Sequence, residues 1–200
     1  MFSAWLSAGG SMINDIYLSA TLNEKIKKEL QKKEFPSATL FHFLDEETYT
    51  KIQAELLRTY FRPEQLLTSH SYATAELSPT LNKLFLSPEC KEFISSLLDT
   101  AAFKINARLY RFGWKDYTLV SNDSLPKLGV DIILNLTEAW NEDFGGVVRY
   151  KDTEGNFISL PAQGNVFTIV RTSDEIQQFV QYINHHAEKR KRLMVMGKIR

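Results

Sequence analysis

After Phe103 the chain changes texture. From Lys104 onward it reads as eight short segments: KINARLYRFG, DYTLVS, GVDIILNLT, GGVVRYKD, NFISLP, NVFTIVRT, IQQFVQYI and RLMVMGKI. Each is rich in Val, Ile, Tyr, Phe or Thr, residues that pack well on a pleated surface, and Gly, Pro, Asn and Asp punctuate them. Short strands at this spacing predict an all-β sandwich or open barrel. The first half reads as helical. Ile16, Leu22, Ile26 and Leu30 share one helix face over Ile13–Lys33, and Pro36 stops that helix. The run ATLFHFL (Ala38–Leu44) suits a strand. DEETYTKIQAELLRTYF then opens with acids in its first turn and spaces Tyr49, Ile52, Leu56 and Leu57 helically. Pro88 begins another helix, PECKEFISSLLDTAA. The fold class expected is α+β, a jelly-roll core buttressed by N-terminal helices.

Two hundred residues, 44% hydrophobic and 24% charged, suit one globular domain. It is expected over 12–200, with a helical part at 12–103 and a β core at 104–200. The opening MFSAWLSAGGS is apolar but short and lacks a basic leader. It makes a poor signal peptide, and reads as an expression remnant or an upstream start before Met12. Lys+Arg and Asp+Glu are equal at 24 each, so charge gives no general case for a nucleic-acid or membrane partner. The basic EKRKR at Glu188–Arg192 reads as a solvated turn. Cys90 is the only cysteine, which excludes an intrachain disulfide. No apolar run approaches the roughly 20 residues of a membrane helix. A soluble, intracellular, cytoplasmic protein is the expectation.

The stretch YRFGWKDYTLVSND…GVDIILNLTEAWNEDFGGVVRYKD, with RLMVMGK at the end, resembles the iron(II)- and 2-oxoglutarate-dependent oxygenases of the prolyl 4-hydroxylase type. The nearer likeness is to the branch that hydroxylates a ribosomal protein in yeast. The resemblance runs in segment order from about Ala38 to Arg200 and implies a double-stranded β-helix. The family holds iron with a His-x-Asp pair and a second, distal His, a face that leaves positions open for co-substrate and dioxygen. A basic residue farther on receives the distal carboxylate of 2-oxoglutarate.

Carried over residue by residue, the His-x-Asp positions fall on Ser121, Asn122 and Asp123, so only the carboxylate is kept. The distal His falls on Gln178. Arg192 matches the co-substrate arginine, with Arg190 as the fallback register and Met194 where a serine or threonine is common. A serine hydroxyl and a glutamine amide are weak neutral oxygen donors that do not replace imidazole on iron(II). His185 and His186 are the substitutes available for the distal ligand, although NHHAEKRK also reads as a polar turn between the last two strands. His42, in LFHFL, reads as a partly buried, hydrogen-bonded histidine, and His70 as a loop residue beside a substrate groove. A family tyrosine near this stretch hydrogen-bonds the co-substrate, a role that Tyr117 would match, but half-buried strand packing is the favoured reading for it and for Tyr110, Phe112 and Trp114. Asp131 and Asn135 face the barrel interior with Ile133 by alternation. They suggest a polar interior that keeps a pocket for a small anion near Arg192. Cys90 reads as a buried structural thiol, and Glu142-Asp143 as a solvated turn.

Three functions follow from this reading. The first is a non-catalytic oxygenase-fold module that binds or scaffolds a protein partner, linked by the resemblance to the translation apparatus, with no cofactor. The second is an active 2-oxoglutarate-dependent hydroxylase with a rearranged ligand set, holding iron(II) through Asp123, His185 or His186, and a further ligand that the sequence does not identify. The third is a small-anion sensor built on Arg192.

Overall fold

The computed structural model describes residues 10–66, 70–100, 102–119 and 129–200. The metal-loop positions Ser121, Asn122 and Asp123 lie outside the described residues. So does most of Met1–Ser11.

Among the described residues, four α-helices precede Ile105, interspersed with three strands: α1 (Ala20–Glu29), α2 (Glu46–Leu56), α3 (Pro79–Leu86) and α4 (Pro88–Leu98). Asp45, Ser78 and Ser87 cap α2, α3 and α4 through their side-chain oxygens. The long first helix expected over Ile13–Lys33 is broken. Ser19 has an extended backbone that separates a short 3₁₀ turn at Asp15–Leu18 from α1, so Ile26 and Leu30 are buried while Ile16 is exposed. Leu57 caps the C-terminus of α2 and lies in solvent rather than on its buried face.

All eight segments after Phe103 form strands: β4 (Ile105–Phe112), β5 (Tyr117–Thr118), β6 (Gly129–Asn135), β7 (Val148–Lys151), β8 (Phe157–Ser159), β9 (Val166–Thr172), β10 (Gln177–Val180) and β11 (Arg192–Ile199). They follow β1 (Ser37–Phe41) and a hairpin that the pattern did not reveal, β2 (Arg62–Leu66) with β3 (His70–Ala75). His70 therefore opens a strand rather than sitting in a loop. The large sheet runs β1-β9-β6-β11-β4-β3-β2, with β5 against β3; the small one runs β10-β7-β8. Every pairing is antiparallel. This is an α+β fold with the two stacked sheets of a jelly roll.

The large sheet has apolar side chains on both faces. Leu109, Ile132, Leu134, Phe167, Ile169 and Val195 pack toward the helices, with Leu81, Leu84, Phe93 and Ile94 opposite. The other face meets the small sheet through Phe112, Ile133, Val148, Tyr150, Val170, Val180 and Met194. The interior between the sheets is therefore apolar along much of its length, not the broadly polar cavity expected from Asp131 and Asn135.

Candidate functional site

Alternation along two adjacent strands builds the polar part of the interior. β6 turns Asp131, Ile133 and Asn135 to the same face, and β11 pairs Lys198 with Asp131 and Met194 with Asn135. Ile133 thus separates two polar clusters.

The first cluster centres on Arg192, which is fully buried. One terminal nitrogen donates to the Gly146 carbonyl, and the other donates to Asn135 Oδ1 at 2.8 Å. Asn135 completes its amide by donating to the Pro161 carbonyl at 2.7 Å. The guanidinium has no carboxylate in hydrogen-bonding contact among the described residues, and its Nε lacks an acceptor. Burial lowers its pKa to about 9, opposed by the more distant Glu142, so it remains charged at neutral pH. The double glycine is required here. A Cβ on Gly145, whose φ is +81°, would lie 2.0 Å from the Tyr182 carbonyl oxygen, and Gly146 (φ +71°) brings its own carbonyl to Arg192. Arg192 and Asn135 come together as their shared placement in the sequence reading requires. The bonds that each makes go to the other and to backbone carbonyls, Arg192 Nε stays unpaired, and the guanidinium is fully buried, with no exposed face at the small-anion pocket expected there.

The second cluster lies at the opposite end of β11. Lys198 Nζ donates to Asp131 Oδ1 at 2.7 Å, and Tyr150 Oη donates to Asp131 Oδ2 at 3.1 Å. Gln178, the register partner of Tyr150, donates its amide to the Tyr150 oxygen at 3.0 Å. Burial, then the charge of Asp131, pushes the Tyr150 hydroxyl well above its ordinary value, so it keeps its proton and serves as the donor. Gln178 is thereby joined to an internal network of Asp131, Tyr150 and Lys198. The pattern singled out Asp131, but not Lys198 or Tyr150. Alternation along RLMVMGKI would have turned Lys198 inward with Arg192, whereas Tyr150 belongs to the opposite sheet and carries no signal of its own.

The other candidates are dispersed. Tyr117 lies on β5, its ring 6.3 Å from that of Tyr182. His185 and His186 are exposed on a 3₁₀ turn, His185–Ala187, which Asn184 caps; this is the polar turn rather than a strand. Arg190 is exposed, with its guanidinium 5.1 Å from the Phe144 ring centroid. His42 is exposed with φ +53°, not buried, because the chain turns there between β1 and α2. Cys90 is buried, and burial raises its thiol to about 12. Among the described residues, no group of three His, Cys, Asp or Glu side chains could hold a metal ion, and no helix is long and apolar enough to cross a membrane.

Two antiparallel sheets stacked in this order, with a buried arginine on the last strand, define the double-stranded β-helix class to which the iron and 2-oxoglutarate oxygenases belong. The chain belongs to the family described as "Oxoglutarate and iron-dependent oxygenase degradation C-term", which matches residues 59–199. Among solved structures it is similar to a prolyl-4-hydroxylase from Pseudomonas putida, with 16% identity over 88% of this chain and 98% of that one and a TM-score of 0.68. An oxidoreductase of the 2-oxoglutarate–Fe(II) oxygenase family from Burkholderia pseudomallei has a TM-score of 0.68 at 13% identity, covering 96% of this chain and 92% of that one. A Trichoplax adhaerens prolyl hydroxylase, solved with a peptide of the hypoxia inducible factor oxygen degradation domain, has a TM-score of 0.62 at 13% identity, covering 90% of each chain. At these identities the likeness shows the fold. No curated protein matches this chain in sequence.

Proposed function

We propose that this protein is a non-catalytic member of the oxygenase fold that works as a protein-binding module. The observation that carries the reading is the state of Gln178, the position corresponding to the distal metal ligand. An imidazole there would offer iron a ring nitrogen; the glutamine instead donates its amide hydrogen to Tyr150 Oη, inside a network anchored by the Lys198–Asp131 ion pair. Ser121 and Asp123 add one hydroxyl and one carboxylate. This donor set does not fit iron(II), which needs nitrogen ligands and charge for affinity. Arg192 is fully buried and donates one bond from each terminal nitrogen to a protein oxygen, so 2-oxoglutarate would reach its remaining N–H groups only by displacing the packing around it. The frame that carries catalysis in oxygenases then serves as a rigid platform. The partner class follows the resemblance, a protein segment with the translation apparatus as the first place to search, in a cytoplasmic setting.

Catalysis is tested by following oxygen-dependent conversion of 2-oxoglutarate to succinate with added iron(II) and ascorbate. The expected outcome is no succinate above that formed with free iron. Succinate formation that disappears in Asp123→Ala would establish the hydroxylase reading in its place.

A further inference from the structure

The large sheet has an opening in its interior. β4 pairs with β11 along its whole length, Ile105 to Phe112, but β3 covers it only at Leu109–Arg111. Beyond Ala75 the chain leaves the sheet for α3, so β4 runs on for four residues, Ile105–Arg108, with no strand among the described residues beside it on that edge. Lys104 and Arg200 exchange both backbone hydrogen bonds. That fixes the phase of the ladder: the N–H and C=O groups of Asn106 and Arg108 point to β11, and those of Ile105 and Ala107 point to the open side. None of the described residues bonds to the latter groups. Unpaired strand groups of this kind are a template for another chain.

Two hollows flank this edge and meet at Asn106 and Ala107. On the helix face, a hollow of about 480 Å³ is walled by Phe85, Leu86 and Phe103, and Leu86 is 60% exposed. On the barrel face, a hollow of about 300 Å³ is lined by Arg108, Lys198 and Arg200. Lys91 and Lys104 border the first hollow, so together five cations face two carboxylates, Glu76 and Asp131. Asp131 is already held by Lys198 and Tyr150, and Glu76 is an exposed side chain 4.0 Å from Arg108. The helix side thus combines the apolar Phe85, Leu86 and Phe103 with Lys91, Lys104 and Glu76 at its border, and the barrel side carries Arg108 and Arg200 beyond the Lys198–Asp131 pair.

We propose that the open edge of β4 at Ile105–Arg108 captures an extended segment of a partner protein by strand addition, and that the side chains of this segment alternate between apolar and acidic. Successive side chains of an added strand point to opposite faces of the sheet. One set enters the apolar hollow beside Phe85 and Phe103, and the other meets Arg108 and Arg200. Backbone pairing supplies affinity and the two hollows supply selectivity. The proposal rests on the protein-binding reading above and names the chemistry of the partner.

The probe is a blocked peptide, acetyl-Leu-Asp-Val-Glu-Leu-Asp-Val-amide, added at millimolar concentration to the full chain while backbone amide exchange is followed by NMR. Slowed exchange at Ile105 and Ala107 is expected. The same peptide with lysine at the acidic positions should leave both amides unchanged, and Arg108→Glu should weaken binding of the acidic peptide about tenfold. Unchanged exchange at Ile105 and Ala107, equal binding of the lysine peptide, or protection already supplied by a second copy of this chain at higher protein concentration would each overturn the proposal. The same preparation is assayed for succinate. A positive assay removes the non-catalytic reading and leaves the edge result standing, whereas failure of the peptide arm alone removes the edge proposal and leaves the non-catalytic reading.

Discussion

Arg192 places a full positive charge in the interior with only a carbonyl and an amide oxygen to accept from it. Truncating it strands those acceptors and opens a cavity. Arg192→Ala is therefore expected to cost about 3 kcal/mol in urea unfolding, as for other breaks in buried charged networks. Lys198→Met leaves Asp131, 3% exposed, without its counter-charge, and about 3 kcal/mol is expected there too. Combining Lys198→Met with Asp131→Asn should cost less than the two single changes added together, because the removed groups interact directly. An additive double-mutant cycle would contradict the assigned pairing. The inward direction of Asp131 and Asn135 was legible from a period of two within GVDIILN. Their partners were not. Gly146 is 46 residues from Arg192, and Tyr150 is 19 from Asp131, across the gap between two sheets. Local periodicity says nothing about such pairs.

Among the elements, α2 and α3 are joined by a polar contact with a pH signature. Glu55, in the last turn of α2, accepts from the Thr80 backbone N–H at 3.1 Å and from its hydroxyl at 2.6 Å, at the start of α3. Desolvation works to raise its carboxyl, but hydrogen bonds from Ser78 and Thr80 outweigh it and hold the pKa below the ordinary value. A depressed carboxylate contributes stability above its unfolded pKa and loses it as pH falls through the folded one. Between about pH 7 and about pH 3 the wild type should therefore lose more stability than Glu55→Gln, read from the two urea midpoints. Equal losses would contradict this role. The strands after Phe103 were legible because each is rich in β-branched and aromatic residues and bounded by turn residues. The β2–β3 hairpin was not. RPEQL carries a proline and three polar residues, a composition tolerated because β2 is the outermost strand of its sheet. The break at Ser19 was missed for a related reason: its extended backbone interrupts a run whose apolar spacing continues through it.

At the scale of the whole molecule, helices, large sheet and small sheet enclose two apolar layers, one on each face of the large sheet. The large sheet therefore does not need a bound ion to hold it against the small one: Arg192 joins β11 to the chain just before β7, and the network of Lys198, Asp131, Tyr150 and Gln178 links both sheets from within. Under the proposed non-catalytic reading, internal hydrogen bonds stand where a metal would, and anaerobic iron(II) titration of the tag-free protein by calorimetry tests this most directly. The account predicts no saturable binding in the wild type and the appearance of a site in the double variant Ser121→His/Gln178→His, which restores two nitrogen donors. One equivalent of iron(II) bound tightly by the wild type, and released by Asp123→Ala, would contradict it.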